Sequence, residues 1–242
     1  MITILLVPGA WITPEAYQPF LQALEADGYD ARYASYPSLD SKDPSTQDCQ
    51  ADTEAIAAVL RSIVEDEGKY VLLVLHSYGG MPGAAAAVGL SQAHQAQKAF
   101  VVSEGLSCAG LQGGNLPPWI LLDQPSPHLT IADDPAGNFA ADVDSDLVKS
   151  LVAKLKPHAT LAFTSPQPHP AWADKEFQGR LAFLVTAHDR AVPKEAQLGM
   201  MAATQQAWIV KEIESSHCAP FFNQKKKTVA LVQEIIKEVS KA

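Results

Sequence analysis

Residues 69–87 read KYVLLVLHSYGGMPGAAAA, and this stretch decides the fold. Its apolar run from Tyr70 to Leu75 predicts a β-strand covered on both faces. The glycines and alanines after Ser77 predict a helix of small residues. A serine held on such a strained strand-to-helix turn exposes its hydroxyl, which is the arrangement of a nucleophile elbow. The stretch therefore predicts Ser77 as an attacking group.

Segments of strand character alternate with segments of helical character on both sides of this turn. Strands are expected at residues 2–7, 31–36, 70–75, 99–103, 181–186 and 208–213. Helices are expected at residues 14–28, 47–66, 80–92, 193–203 and 224–241. The alternation indicates right-handed βαβ units. We predict an α/β fold with a mostly parallel, doubly wound six-stranded sheet and helices on both faces.

The regular pattern is interrupted between residues 106 and 178, where more than half of the prolines lie. One helix is expected there, at residues 145–155, with Ser145 as its N-cap. We interpret 106–178 as a cap inserted over the catalytic face, and 1–105 with 179–242 as the hydrolytic core. A long irregular loop is the alternative, although such length is unusual in a compact domain.

The composition limits the functions open to this chain of 242 residues. A net charge of −9 and a pI near 5.2 argue against nucleic-acid binding, which needs a basic face. The three cysteines, Cys49, Cys108 and Cys218, form neither a disulfide framework nor a zinc-binding pattern. The apolar N-terminal stretch is too short for a signal peptide, and no segment reaches the ~20 apolar residues of a membrane helix. We expect a soluble cytoplasmic protein without membrane association.

A nucleophilic serine needs a base and an acid, which in folds of this kind follow it in the order acid, then histidine. Asp189 follows the fifth predicted strand, and His217 follows the sixth. Because catalytic groups collect at the carboxyl ends of parallel strands, the three side chains are expected to meet. Glu104, after the fourth strand, is a rival acid. Asp189 could instead pair with the neighbouring arginine, and His217 could be an ordinary loop histidine.

The tetrahedral intermediate of such a reaction needs backbone N–H donors for its oxyanion. One is expected from Tyr78, the residue after the serine, and the other from Ala10 in the loop after the first strand. Gly9 has no Cβ and allows that loop to approach closely. His76 is expected to pack behind the elbow.

The chain resembles serine hydrolases of the α/β-hydrolase superfamily through four segments: LLVPGAW, LHSYGGM, AHDRAVP and SSHCAPFF. Within that superfamily it is most similar to the branch of plant methylesterases and hydroxynitrile lyases and to small fungal and bacterial relatives. The resemblance implies a triad of Ser77, His217 and Asp189, with Ala10 and Tyr78 as oxyanion-hole residues. It also implies chemistry that requires no metal and no organic cofactor.

Three departures from the family pattern stand out. Pro8 replaces the usual histidine before Gly9, which should change the packing of the oxyanion loop. Leu75 replaces the first glycine of G-x-S-x-G and should crowd the elbow. Ser216 and Cys218 flank the histidine where hydroxynitrile lyases of this branch carry a lysine, which argues against that activity.

The leading functional hypothesis is hydrolysis of a small carboxylic ester or lactone through an acyl-enzyme. Aromatic and apolar residues are candidates for the walls of the substrate pocket: Trp11, Trp119, Leu121, Phe139 and Phe163. A second hypothesis uses the same triad for C–C cleavage, elimination or cyclisation. A third is a small-molecule receptor without turnover. Nothing in the sequence indicates an oligomeric state.

Overall fold

The computed structural model describes residues 2–90, 99–103 and 116–240. Its main sheet has six strands, and every neighbouring pair runs parallel. The strands are β1 Ile2–Val7, β2 Asp30–Tyr33, β3 Tyr70–Leu75, β4 Ala99–Ser103, β8 Leu181–Thr186 and β9 Ile209–Ile213. Their spatial order is β2-β1-β3-β4-β8-β9. The predicted α/β class and six-stranded parallel sheet are confirmed.

The sheet's order brings the predicted site together. β1 and β3 pair from Ile2 opposite Tyr70 to Val7 opposite Leu75, so the loops after both strands begin side by side. β8 and β9 pair in the same direction, with Thr186 opposite Ile213. The loops after β1, β3, β8 and β9 therefore emerge at one edge of the sheet. All six residues of β8 are buried, as expected for a strand covered on both faces.

The described helices are of mixed length. They are α1 Pro14–Ala26, α2 Cys49–Arg61, α3 Gly80–Ala86, α4 Pro135–Phe139, α5 Ser145–Val152, α6 Thr160–Thr164, α7 Lys194–Ala203 and α8 Lys225–Val239. A π-helical turn, Ser62–Asp66, extends α2. In the packed core α1 lies against α8, and α2 lies against α3. No helix among the described residues is long and apolar enough to cross a membrane.

Several predicted boundaries differ from the structure; α3, for example, ends at Ala86 and does not reach residue 92. β2 ends at Tyr33 because the chain then leaves the sheet, and the Tyr36 hydroxyl donates to the carbonyl oxygens of Pro8 and Gly9 instead. The expected N-cap Ser145 is wrong, since it lies inside α5. Asp144 has the non-helical backbone of the cap position, and its carbonyl accepts the first helical bond, from Val148 N.

Residues 116–178 build a second, smaller sheet beside these elements. Its strands β5 Ile120–Leu122, β6 Leu129–Ala132 and β7 His158–Ala159 are antiparallel. Backbone bonds attach it to the core, from Ala159 N to Ser38 O and from Lys156 N to Trp11 O, each 2.9 Å. This segment has regular structure of its own. Its function as a cap stays a prediction.

Candidate active site

Ser77 lies directly after β3 on the turn that leads into α3. Its φ is 50°, in the left-handed region that non-glycine residues rarely adopt, and a 3₁₀ turn, Ser77–Gly79, follows. Such a conformation costs on the order of 1–3 kcal/mol and persists only when the surroundings enforce it. His76 N donates to Val7 O and fixes the chain before the serine. The side chain of Ser77 is half-buried and faces a cleft.

The elbow accommodates Leu75 because α3 has a glycine opposite it. A Cβ added to Gly83 would lie 2.4 Å from Leu75 Cδ2 and 3.3 Å from Val7 Cγ2. Ordinary carbon–carbon contacts are near 3.5–4.0 Å, so only a glycine leaves room for the leucine. The crowding predicted from the sequence is thus relieved on the helix, by a residue that the G-x-S-x-G comparison does not include.

His217 and Asp189 form a buried pair at the carboxyl ends of β9 and β8. His217 Nδ1 lies 2.7 Å from Asp189 Oδ2, and the two side chains are 4% and 0% exposed. Asp189 Oδ2 also accepts from Thr186 Oγ1 at 2.8 Å, and Oδ1 accepts from Val192 N at 2.8 Å. Three donors therefore hold the carboxylate in one orientation, as the acid of a triad requires.

Gln197 holds two of the residues that bind this carboxylate, and the sequence analysis did not identify it. The side chain is fully buried on α7, and its Oε1 accepts from Thr186 N. Its Nε2 donates to Thr186 O, Thr186 Oγ1 and Val192 O at 2.7–3.0 Å. Thr186 and Val192, two of the three residues that donate to Asp189, are thus fixed by one amide. A glutamine on a helix has no sequence signature for such a function, since its partners are set only by folding.

The loop that carries His217 is held by the segment after β6. Cys218 N donates to Phe139 O at 2.8 Å, and Ser216 Oγ donates to the same oxygen at 3.2 Å. Ser216 N donates to Asp142 Oδ2 at 3.1 Å. The His217 ring lies 4.8 Å from the His76 ring and 5.8 Å from the Phe139 ring, measured between centroids. The position of the candidate base therefore depends on residues of the smaller sheet's segment.

His76 lies behind the elbow, as predicted, and is fully buried. The Tyr17 hydroxyl accepts from Gly9 N at 3.0 Å and is hydrogen-bonded to His76 Nδ1, 2.5 Å away. Burial lowers the pKa of His76 well below 6.5, so this ring is neutral at neutral pH. It adds no positive charge beside His217.

The loop after β1 approaches the elbow closely. A Cβ on Gly9 would lie 2.8 Å from His76 Nδ1 and 3.3 Å from Ser77 Cβ, which explains the glycine. Two tyrosine hydroxyls hold the Gly9 peptide: Tyr17 OH accepts from Gly9 N, and Tyr36 OH donates to Gly9 O. Ala10 lines the cleft, and its amide has no acceptor among the described residues. An oxyanion-hole donor requires an amide left free in this way, and this function of Ala10 stays a prediction.

A narrow cleft of about 180 Å³ joins these groups. Its lining comprises Gly9, Ala10, Trp11, Ile12, His76, Ser77, Phe139 and His217. Ser77, His217 and Ala10 thus open on the same space, whereas Asp189 lies behind the histidine. Ile12 and His76 were not among the predicted wall residues. Ile12 lies three residues after Gly9, and His76 directly precedes Ser77. Their proximity to the two motifs was the available sequence signal.

Trp11 organises the aromatic wall of the cleft. Its ring is nearly parallel to those of Phe139 and Phe163, at centroid distances of 5.9 and 5.4 Å, and meets Trp119 edge-on. Its Nε1 donates to Thr130 O at 3.0 Å. Of the five predicted wall residues, Trp11 and Phe139 line the cleft, and two others pack against Trp11.

Two sequence predictions are not placed in the site. Leu121, the fifth wall candidate, is half-buried on β5 and is not among the residues that line the cleft. Glu104, the rival acid, lies outside the described residues, as does Cys108.

Comparison with known proteins agrees with this fold. The profile of the alpha/beta hydrolase family matches residues 4–231. The alpha/beta hydrolase nvfD of Aspergillus novofumigatus (strain IBT 16806) is 27% identical over 232 residues, covering 88% of each chain. The chain therefore belongs to the alpha/beta hydrolase family, as its motifs indicated.

Solved structures share the fold at low sequence identity. A methylesterase, MES16 from Arabidopsis, superimposes with a TM-score of 0.75 at 15% identity, over 98% of this chain and 99% of that one. A pyrethroid hydrolase from Sphingobium faniae JZ-2 gives a TM-score of 0.70 at 18% identity, over the full length of both chains. At these identities the likeness concerns the fold.

Proposed function

We propose that the protein is a serine hydrolase that cleaves a small carboxylic ester or lactone through an acyl-enzyme. One observation carries the proposal: the buried His217–Asp189 pair, 2.7 Å apart, lies behind the same cleft that Ser77 faces from its strained turn. A hydrogen-bonded base oriented by a third group is the signature of an activated nucleophile.

The proposed reaction follows from these positions. Asp189 accepts the Nδ1 proton of His217, which leaves Nε2 unprotonated and able to take the proton of Ser77 Oγ. The serine oxygen attacks the substrate's carbonyl carbon, and His217 then protonates the leaving alcohol. Water repeats the sequence on the acyl-enzyme and restores Ser77. Asp189 stabilises the imidazolium that forms in each half.

The oxyanion of both tetrahedral intermediates is proposed to bind the amides of Ala10 and Tyr78. Removing one donor of such a hole typically costs about 10²–10³ in kcat. The narrow cleft, lined in part by the rings of Trp11 and Phe139, supports a small substrate. In this proposal residues 106–178 form the cap that closes over the acyl group.

Turnover of a panel of nitrophenyl esters with increasing acyl length tests the proposal. Ser77→Ala and His217→Ala should reduce kcat by several orders of magnitude, leaving about 10³-fold catalysis over water. Ser150→Ala, on the exposed face of α5, is the matched serine control and should keep full activity. Asp189→Asn should be severe and Glu104→Gln mild; the reverse ranking would assign the acid to Glu104.

A further inference from the structure

We propose that Asp52 is a positioning residue of the oxyanion hole, acting through the side chain of Tyr78. The inference rests on the proposed function, since it concerns the residue whose amide is expected to bind the oxyanion. Asp52 is fully buried on α2, far along the chain from the triad. The hydrolytic mechanism itself gives this carboxylate no part.

The contact that supports the proposal is direct. Tyr78 OH donates to Asp52 Oδ2 at 2.5 Å, and the tyrosine is only 3% exposed. The same carboxylate accepts from Ser38 N at 3.0 Å and from Ser38 Oγ at 2.5 Å. Three donors therefore fix Asp52, which in turn fixes the far end of the Tyr78 side chain.

The proton positions of this cluster follow from counting donors. Because the Ser38 hydroxyl gives its proton to Asp52, it must accept from His158 Nε2, 2.6 Å away. Burial lowers the pKa of His158 to about 3, so the ring is neutral and carries its proton on Nε2. Burial also raises the pKa of Asp52. The cluster thus connects α2, the loop after β2 and strand β7.

Tyr78 is held at both ends. Its main chain belongs to the 3₁₀ turn after Ser77, and its hydroxyl is bonded to a helix that packs against α3. The rings of His158, Phe163 and Tyr36 lie 4.6, 5.2 and 5.5 Å from the tyrosine ring. A rotation about the Tyr78 N–Cα bond that Ser77 does not compensate would move the ring against these neighbours and break the bond to Asp52. The bond therefore restrains the direction of the Tyr78 N–H.

The kinetics distinguish two functions of the Asp52 cluster: stabilising the fold only, or positioning the Tyr78 amide. Loss of structure lowers the fraction of folded, titratable sites and leaves kcat per active site unchanged. A misdirected oxyanion donor lowers kcat per site with little effect on KM, because the donor acts mainly in the transition state. The rate of phosphonylation of Ser77 by a fluorophosphonate should fall by the same factor, since that reaction also places an oxygen in the hole.

The test compares Asp52→Asn, Tyr78→Phe and the double variant with the wild type, using the fastest ester substrate and a fluorophosphonate. Each single variant should lower kcat per titrated site and the phosphonylation rate about tenfold, less than loss of a whole donor. The double variant should be no slower than the worse single variant, because both changes break one bond. Ser38→Ala keeps the Asp52–Tyr78 bond and should cost less than either.

The outcomes separate this inference from the proposed function. Wild-type rates per site in both single variants, or multiplied losses in the double variant, would overturn the positioning role while leaving the triad intact. Reduced melting temperature and fewer active sites with unchanged kcat per site would also overturn it. If the folded wild type neither labels nor turns over esters, the proposed function fails and the inference fails with it.

Discussion

The packing of Gly83 against Leu75 gives a prediction whose size follows from the structure. In Gly83→Ala the new Cβ would lie 2.4 Å from Leu75 Cδ2, an overlap of more than 1 Å in a fully buried region. Overpacking of this kind costs about 1–3 kcal/mol. Against it stands the gain of about 0.8–1 kcal/mol for alanine over glycine inside a helix. We expect a net loss of about 1 kcal/mol in the free energy of unfolding.

The effect of Gly83→Ala on the free energy of unfolding should change sign when Leu75 is replaced by a shorter residue. Leu75→Val removes both Cδ atoms and places a β-branched residue, which suits a strand, in β3. The nearest remaining neighbour of the new Cβ is then Val7 Cγ2 at 3.3 Å. In that background Gly83→Ala should be neutral or stabilising, which makes the coupling between the two sites about 1–3 kcal/mol. Gly199→Ala is the matched control, since a Cβ there meets nothing within 4 Å and should stabilise by about 0.8–1 kcal/mol.

Urea unfolding of the four variants and the wild type measures these differences, and ester turnover by Gly83→Ala should fall because Leu75 lies two residues before Ser77. The reasoning is refuted if Gly83→Ala changes stability equally in both backgrounds. It is refuted as well if Gly83→Ala stabilises the protein as much as Gly199→Ala does.

Three further predictions concern groups around the site. Gln197→Leu leaves buried peptide groups beside Asp189 unpaired, and should cost about 3 kcal/mol in urea unfolding and lower kcat. His158 has a pKa of about 3 in the folded protein, whereas its ordinary pKa is 6.5. As the pH falls, this histidine therefore takes up a proton in the unfolded chain before it does so in the folded protein. Wild type should therefore lose about 2 kcal/mol more than His158→Gln between pH 7 and 5 in denaturant titrations. Trp11→Phe removes the donor to Thr130 O, should cost about 1–3 kcal/mol, and should lower KM for longer acyl esters relative to acetate.

The sequence was sufficient to predict those strands and helices whose formation depends on neighbouring residues. The strand expected at residue 70 and the helix expected at residue 14 each depend on neighbours in sequence, and both elements begin as predicted. The parallel sheet then follows from the alternation of strands and helices, and it places the residues after β8 and β9 at the same edge as Ser77.

Contacts between segments that are distant in the sequence could not be predicted from local patterns. Gln197 binds Thr186 only because α7 folds back on β8, and Asp52 reaches Tyr78 only because α2 packs beside α3. Polar residues on helices normally face solvent, so the sequence favours a surface position for both. The relief of crowding at Leu75 by Gly83 likewise appears only when strand and helix are in contact.

Intact-mass measurement after exposure to a fluorophosphonate tests the central claim most directly, with Ser77→Ala alongside the wild type. The account predicts one adduct on the wild type and none on the variant, because the proposed mechanism has the buried His217–Asp189 pair activate Ser77. A folded wild type that forms no adduct, or an adduct that persists in Ser77→Ala, would contradict the assignment of Ser77 as the nucleophile.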